Sequence, residues 1–129
     1  MVGMVVVSHS ERAAEGIVEV AAEMGGGARI EAVGGDPDGG IGTSMDAIRS
    51  AIEAADDNSE GVVILVDLGS AVMNAEIAIE EAAVEADAGI ADAPVLEGAV
   101  NAAVEATSES ATVESVVEVA AEAREYRKL

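Results

Sequence analysis

The chain has no cysteine, no phenylalanine and no tryptophan, and a single tyrosine, Tyr126. Without cysteine there is no disulfide framework and no thiolate metal site. One histidine, His9, removes multi-histidine zinc and iron sites as well. Without large aromatic rings, a core must be assembled from Val, Ile, Leu, Ala and Met. At 129 residues the expectation is one domain, long enough to bury such a core. Basic residues are nearly as scarce: 6 Lys and Arg stand against 26 Asp and Glu, for a net charge of −20. That excludes nucleic acid and anionic membrane surfaces as partners, because both are held by clustered Lys and Arg. No run approaches the roughly 20 apolar residues that span a bilayer. The N-terminus lacks the basic-then-apolar pattern of a cleaved leader, so a cytoplasmic location is expected. An acidic, lysine-poor, Ala- and Val-rich chain suits a high-salt cytoplasm, where the screening length falls to about 3 Å at 1 M. A halophilic source is the expectation.

What is present is strong hydrophobic periodicity. Residues 1–8 read as a buried strand. Residues 11–24 carry apolar side chains at 14, 17, 18, 21 and 24, one face of a helix. Gly25-Gly26-Gly27 ends that helix, and residues 28–33 form a second short strand. Residues 34–42 are rich in turn formers. Residues 43–55 return to helical spacing through Ala47, Ile48, Ala51 and Ile52, and residues 56–59 make a polar turn. Residues 61–67 are continuously apolar up to Asp67, as in a central strand. A helix over 70–86, a weak strand over 88–91, a helix opened by Pro94 through 106 and a last helix over 113–125 complete the chain. The order β-α-β-α-β-α-β-α-α predicts an α/β fold, a doubly wound parallel sheet with helices on both faces.

Ligands in such a fold gather at the carboxyl ends of the strands. The first strand ends at His9 and the third at Asp67. A carboxylate accepting from one ring nitrogen fixes the tautomer and leaves the other nitrogen's lone pair outward. It also stabilises the positive charge that develops when the ring attacks. A lone strand-end histidine is as often held by nearby backbone, and a lone Asp as often caps a loop. Their convergence at one edge favours function. Ser10 follows at a helix start, whose free N–H groups favour an anion.

Gly39-Gly40-Ile41-Gly42-Thr43-Ser44 places glycines where backbone can approach a ligand, ahead of another helix start. Thr43 with Asp46 fits a capping-box-like pattern. The run is no P-loop, since no Lys follows, and no dinucleotide fingerprint, since Met45 stands where the third Gly belongs. Ser70 opens the third helix beside Asp67, to cap it or to donate to an oxyanion. Arg12, three residues after His9, could offset phosphate charge, dock a partner, or simply pair with Glu15. A histidine nucleophile, an orienting carboxylate and two Gly/Ser/Thr-rich helix starts suit transient phosphorylation of the ring. Transfer between two histidines needs no metal, because the donor is already activated.

Four motifs, Val7-Ser8-His9-Ser10, Gly40-Ile41-Gly42-Thr43-Ser44, Asp67-Leu68-Gly69-Ser70-Ala71 and Ala93-Pro94-Val95-Leu96-Glu97-Gly98-Ala99, stand in an order and spacing that match a known family. Over essentially its whole length the chain resembles the phosphocarrier subunit of phosphotransferase-system-dependent dihydroxyacetone kinases. That domain is similar to mannose-type enzyme IIA. The resemblance implies a mainly parallel four-stranded sheet of order 2-1-3-4, in a homodimer. It implies that His9 takes a phosphoryl group from HPr, charged from phosphoenolpyruvate through enzyme I. The group would pass to ADP on a separate nucleotide-binding kinase subunit, and the ATP formed would phosphorylate dihydroxyacetone held on a third subunit. By the same match Asp67 orients His9, while Gly42, Thr43 and Ser70 line the phosphoryl pocket, with no cofactor or metal bound. Some members carry fused HPr and enzyme I-like domains; here both are expected to be separate proteins.

The mannose-type transporter branch carries a Gly-Gly-Ser-Pro-like run after the strand-three Asp. Leu68-Gly69-Ser70-Ala71 and the later Pro94-Val95-Leu96-Glu97-Gly98 favour the dihydroxyacetone branch. The alternative readings are a transporter IIA that passes its group to a IIB domain, and a non-catalytic module that signals phosphorylation state. A receiver domain is excluded, because the first strand ends in Ser-His-Ser and the only Lys is Lys128. A phosphoglycerate-mutase-like enzyme would need an Arg-His-Gly run and a second His, and neither exists.

Overall fold

In a computed structural model of the protein, the described residues are 1–57, 59–84 and 87–129. In chain order they form β1 (Gly3–Ser8), α1 (Glu11–Met24), β2 (Ile30–Gly34), α2 (Met45–Asp56), β3 (Val62–Val66), α3 (Gly69–Glu81), β4 (Ala88–Ala91), α4 (Val95–Ala106) and α5 (Val113–Ala121). A 3-10 turn over Glu122–Glu125 follows α5. The strands pair in parallel in the order β2-β1-β3-β4. The expected doubly wound α/β sheet is therefore observed. Among the described residues no helix is long and apolar enough to cross a membrane.

Side chains alternate across a strand, and here the alternation feeds two cores. Val2, Met4 and Val6 of the first segment and Val63 and Leu65 of β3 face α1, α4 and α5. Val5, Val7, Val62 and Ile64 face α2 and α3. Both faces of the sheet are covered, which is why β3 is apolar at every position and β1 at every position before Ser8. In place of aromatic bulk, alanines bring helices and strands close. Ala99, Ala102, Ala103 and Ala106 of α4 and Ala71, Ala75 and Ala78 of α3 are fully buried. At Gly25 a side-chain carbon would lie 2.5 Å from the Ala103 carbonyl carbon, so α1 ends in direct backbone contact with α4.

The widest departures from the periodicity reading are at the ends of the third and last helices, while the other boundaries shift by two residues or fewer. The third helix stops at Glu81, where Ala82 turns extended and the Ala83 N–H donates to the Glu53 carboxylate on α2 at 2.8 Å. The tail of that expected helix at Glu85 and Ala86 lies outside the described residues, as does Asn58 of the expected polar turn. The last helix tightens from α to 3-10 after Ala121.

Candidate active site

The β1–β3 register builds the site. Val7 pairs with Val66, and the Asp67 N–H donates to the Val7 carbonyl at 3.2 Å. The next residues, Ser8 and His9, therefore meet the Asp67 side chain. Its Oδ2 accepts from the Ser8 hydroxyl and from the His9 backbone N–H, both at 2.9 Å. Its Oδ1 lies 2.9 Å from His9 Nδ1. An ionised carboxylate only accepts, so Nδ1 carries the ring proton and Nε2 keeps its lone pair. The Ser70 hydroxyl sits 2.6 Å from Nε2 and donates to it.

Burial raises the Asp67 carboxyl, but the His9 backbone N–H, the His9 ring and the Ser8 hydroxyl together outweigh it and hold the group below its ordinary value. The side chains of His9 and Asp67 are each 18% exposed. Ser8 is buried; its hydroxyl also accepts from the Ser10 N–H at 3.1 Å. Ser8 was not singled out by the sequence reading, although the Ser-His-Ser run carries it.

The other predicted residues fall around this centre. Ser10 caps α1, accepting from the Ala13 N–H at 3.2 Å. Gly42 donates its N–H to the His9 carbonyl at 2.9 Å. Gly42 has φ of +152°, in the range that favours glycine, and a side-chain carbon there would press on Asp36. The expected cap at Thr43 is displaced by one residue: Ser44 caps α2, accepting from the Ala47 N–H at 3.2 Å. Thr43 instead accepts from Asn74 Nδ2 of α3. Ser70 does not cap α3 either. Leu68 holds the cap position with no side-chain bond, which leaves the Ser70 hydroxyl for His9. Arg12 is exposed and, among the described residues, makes no ion pair, so its pairing with Glu15 is not formed. Asn74 escaped the sequence reading; the available signal was an amide one turn after Ser70 in a helix otherwise apolar or acidic.

Chemically, the arrangement presents one imidazole nitrogen as a nucleophile, with a carboxylate behind the ring. The N-terminus of α3 adds backbone N–H groups that have no intrahelical partner and favour an anion. Among the described residues no group of three or more His, Cys, Asp or Glu is placed to hold a metal. A cleft of about 540 Å³ opens between α3 and the ends of β3 and β4; Asp67 and Leu68 line it but His9 does not. His9 lies outside that cleft with its side chain 18% exposed, and Ile41 and Leu68, the chain neighbours of Gly42 and Asp67, are 76% and 59% exposed. A partly exposed nucleophile outside that cleft suits a macromolecular donor better than an enclosed small substrate.

Comparison with known proteins gives a consistent result. The family described as the PTS system fructose IIA component, EIIA-man, matches residues 3–117. The phosphoryl donor subunit DhaM of PEP-dependent dihydroxyacetone kinase 2 from Listeria innocua is 42% identical over 108 residues, 81% of this chain and 86% of that protein. The DhaM subunit from Klebsiella michiganensis is 34% identical over 135 residues, 100% of this chain but 28% of that protein. The Escherichia coli subunit is 37% identical over 134 residues, again 28% of its length. The chain thus spans under a third of these two relatives and most of the Listeria one. The crystal structure of EF1359, a protein of unknown function, superposes with a TM-score of 0.82 at 29% identity, covering 99% of this chain and 98% of that one.

Proposed function

The chain belongs to the EIIA-man family of phosphotransferase-system components, in the company of the DhaM phosphoryl donor subunits, and from that membership we propose that it is a phosphohistidine carrier serving a dihydroxyacetone kinase. The observation that carries the reading is the locked ring of His9. Asp67 holds Nδ1, and Nε2 points outward with only a hydroxyl on its lone pair.

In the charging step Nε2 attacks the phosphorus of a phosphohistidine on HPr. The donor N–P bond breaks, its electron pair returns to the donor ring, and an Nε2–P bond forms. His9 then carries a positive ring, stabilised by the Asp67 carboxylate on Nδ1–H. The Ser70 hydroxyl leaves the vanished lone pair and donates to a phosphoryl oxygen. Gly42, Thr43 and the first N–H groups of α3 complete the cradle. In the discharge step a β-phosphate oxygen of ADP, held on the kinase subunit, attacks the same phosphorus. The Nε2–P bond breaks, ATP forms and the ring is neutral again. Arg12, free of acidic partners, offers a docking cation beside the site. The reading carries with it a cytoplasmic location and a homodimer, the latter checked by light scattering in high salt.

The test is intact-protein mass spectrometry after incubation with phosphoenolpyruvate, enzyme I and HPr, followed by a chase with ADP and the kinase subunit. The expected result is gain of one acid-labile phosphoryl group, absent in His9→Ala and discharged by the chase. Gain without discharge points to a transporter IIB acceptor or a regulatory role. Absence of gain with partners from the same source removes the carrier reading.

A further inference from the structure

We propose that Asn74 is a positioning residue that fixes the Thr43 hydroxyl as a hydrogen-bond donor toward the phosphoryl group on His9; the proposal rests on the phosphohistidine reading above. Asn74 stands one turn beyond Ser70 on α3, so the two side chains share a helix face. Ser70 reaches down to His9 Nε2, and Asn74 reaches across to Thr43 Oγ1. Thr43 follows Gly42, whose N–H is bonded to the His9 carbonyl. His9, Ser70, Asn74, Thr43 and Gly42 therefore close a circuit drawn from the end of β1, the first turns of α3 and the lead-in to α2.

The direction of the Asn74 bond decides what Thr43 can do. An amide nitrogen donates and cannot accept. Thr43 Oγ1 is thus used as an acceptor, and its own proton has no partner among the described residues. Capping of α2 does not claim it, because Ser44 performs that task. The result is a half-buried hydroxyl with an unspent donor, tethered on one side to Gly42, whose N–H bonds the His9 carbonyl, and on the other to Asn74, one turn from the Ser70 that contacts Nε2. A tie between α2 and α3 alone would be satisfied by either hydrogen-bond direction. A donor kept free for an anion requires this one.

The test charges the full chain with phosphoramidate, a small donor that needs no protein partner, in high salt. The P–N bond of the donor breaks, ammonia leaves, and His9 takes the phosphoryl group; intact mass follows the rate. Asn74→Ala and Thr43→Val are each expected to charge about tenfold more slowly, the scale of one hydrogen bond to a charged group. The double variant is expected to be no slower than the slower single, because both remove the same donor. The phosphorus resonance of the charged protein should move to the same new position in both single variants, which a purely structural tie would not produce. Asn74→Asp keeps the shape and reverses the bond, drawing the Thr43 proton away; it should charge at least as slowly, and it serves if the Ala variant does not fold. Additive losses, or an unmoved rate and resonance in the Asn74 variants beside a wild type that charges normally, overturn the proposal and leave the carrier reading intact. Failure of the wild type itself to charge at His9 removes both.

Discussion

Replacing Asp67 with Asn should move the ring proton of His9 from one nitrogen to the other. The Asn side chain has one orientation open to it. The His9 backbone N–H points at Oδ2 from 2.9 Å and cannot rotate away, so the amide oxygen must take that position and its NH2 the position of Oδ1. The NH2 then faces Nδ1, 2.9 Å away in the parent geometry. Two donors cannot share a hydrogen bond, so Nδ1 becomes the acceptor and the proton settles on Nε2. Ser70, whose hydroxyl can donate or accept, adapts at no cost. The nucleophilic lone pair is then buried against the amide, and the charge that stabilised the phosphorylated ring is gone. Charging should slow by about 10³–10⁴-fold, the scale reached when an amide enforces the wrong histidine tautomer in a catalytic site. The fold should survive. Three hydrogen bonds pass from the charged to the neutral class, at about 1 kcal/mol or less each, against about 5–15 kcal/mol for a domain of this kind. The assay pairs the charging rate with a long-range proton–nitrogen spectrum of the imidazole. Retention of the Nδ1–H tautomer with charging within about threefold of wild type refutes the reasoning.

Three further outcomes are expected. The folded-state carboxyl of Asp67 lies below its ordinary value, so its contribution to stability is complete above the unfolded value near pH 4 and is lost as pH falls through the folded one. Urea unfolding at constant high salt should lose free energy on acidification through that range, and Asp67→Asn should flatten the fall; an identical slope in the variant contradicts the assignment. With a net charge of −20 and few cations to offset it, the melting temperature should rise by about 10 °C or more between dilute buffer and molar KCl as self-repulsion is screened. Indifference to salt sinks the halophilic expectation. Gly34→Ala places a side-chain carbon 2.6 Å from the Ser10 carbonyl oxygen and 2.8 Å from that of Ser8, neither of which can shift without moving β1. It should destabilise by about 1–3 kcal/mol, read by chemical denaturation, and disturb charging with it; a variant as stable as the parent disproves that packing constraint.

The helix starts show where reading a sequence succeeds and where it slips by a residue. Ser10 was legible as the start of α1, and the structure makes it the cap of that helix. At Gly42-Thr43-Ser44 two hydroxyls compete, and local pattern favoured Thr43 with Asp46. The structure gives the cap to Ser44, because the Gly42 bond to the His9 carbonyl and the Asn74 bond to Thr43 fix the preceding residues. Ser70 is the reverse case. Its two expected roles were both compatible with sequence; the cap at Leu68 removes the first, and the contact to Nε2 leaves the hydroxyl beside the ring. The amide at Asn74 stood out locally, but its partner did not, since Thr43 lies 31 positions away.

By itself the sequence determined the alternation of strands and helices, because hydrophobic period and glycine punctuation are local properties. It also determined that any histidine chemistry must use His9, because no other histidine exists. The four ordered motifs carried the family resemblance, and through it the strand order. What tertiary structure alone decided is the meeting of residues far apart in the chain. Asp67 stands 58 positions from His9 and touches it because β1 and β3 are neighbours in register, an arrangement set by the packing of two helical layers on one sheet. That contact, with Ser70 arriving from α3, assigns the ring proton to Nδ1 and the reactive lone pair to Nε2. A tautomer is a property of the surroundings of a ring, and no reading of the chain in one dimension contains them.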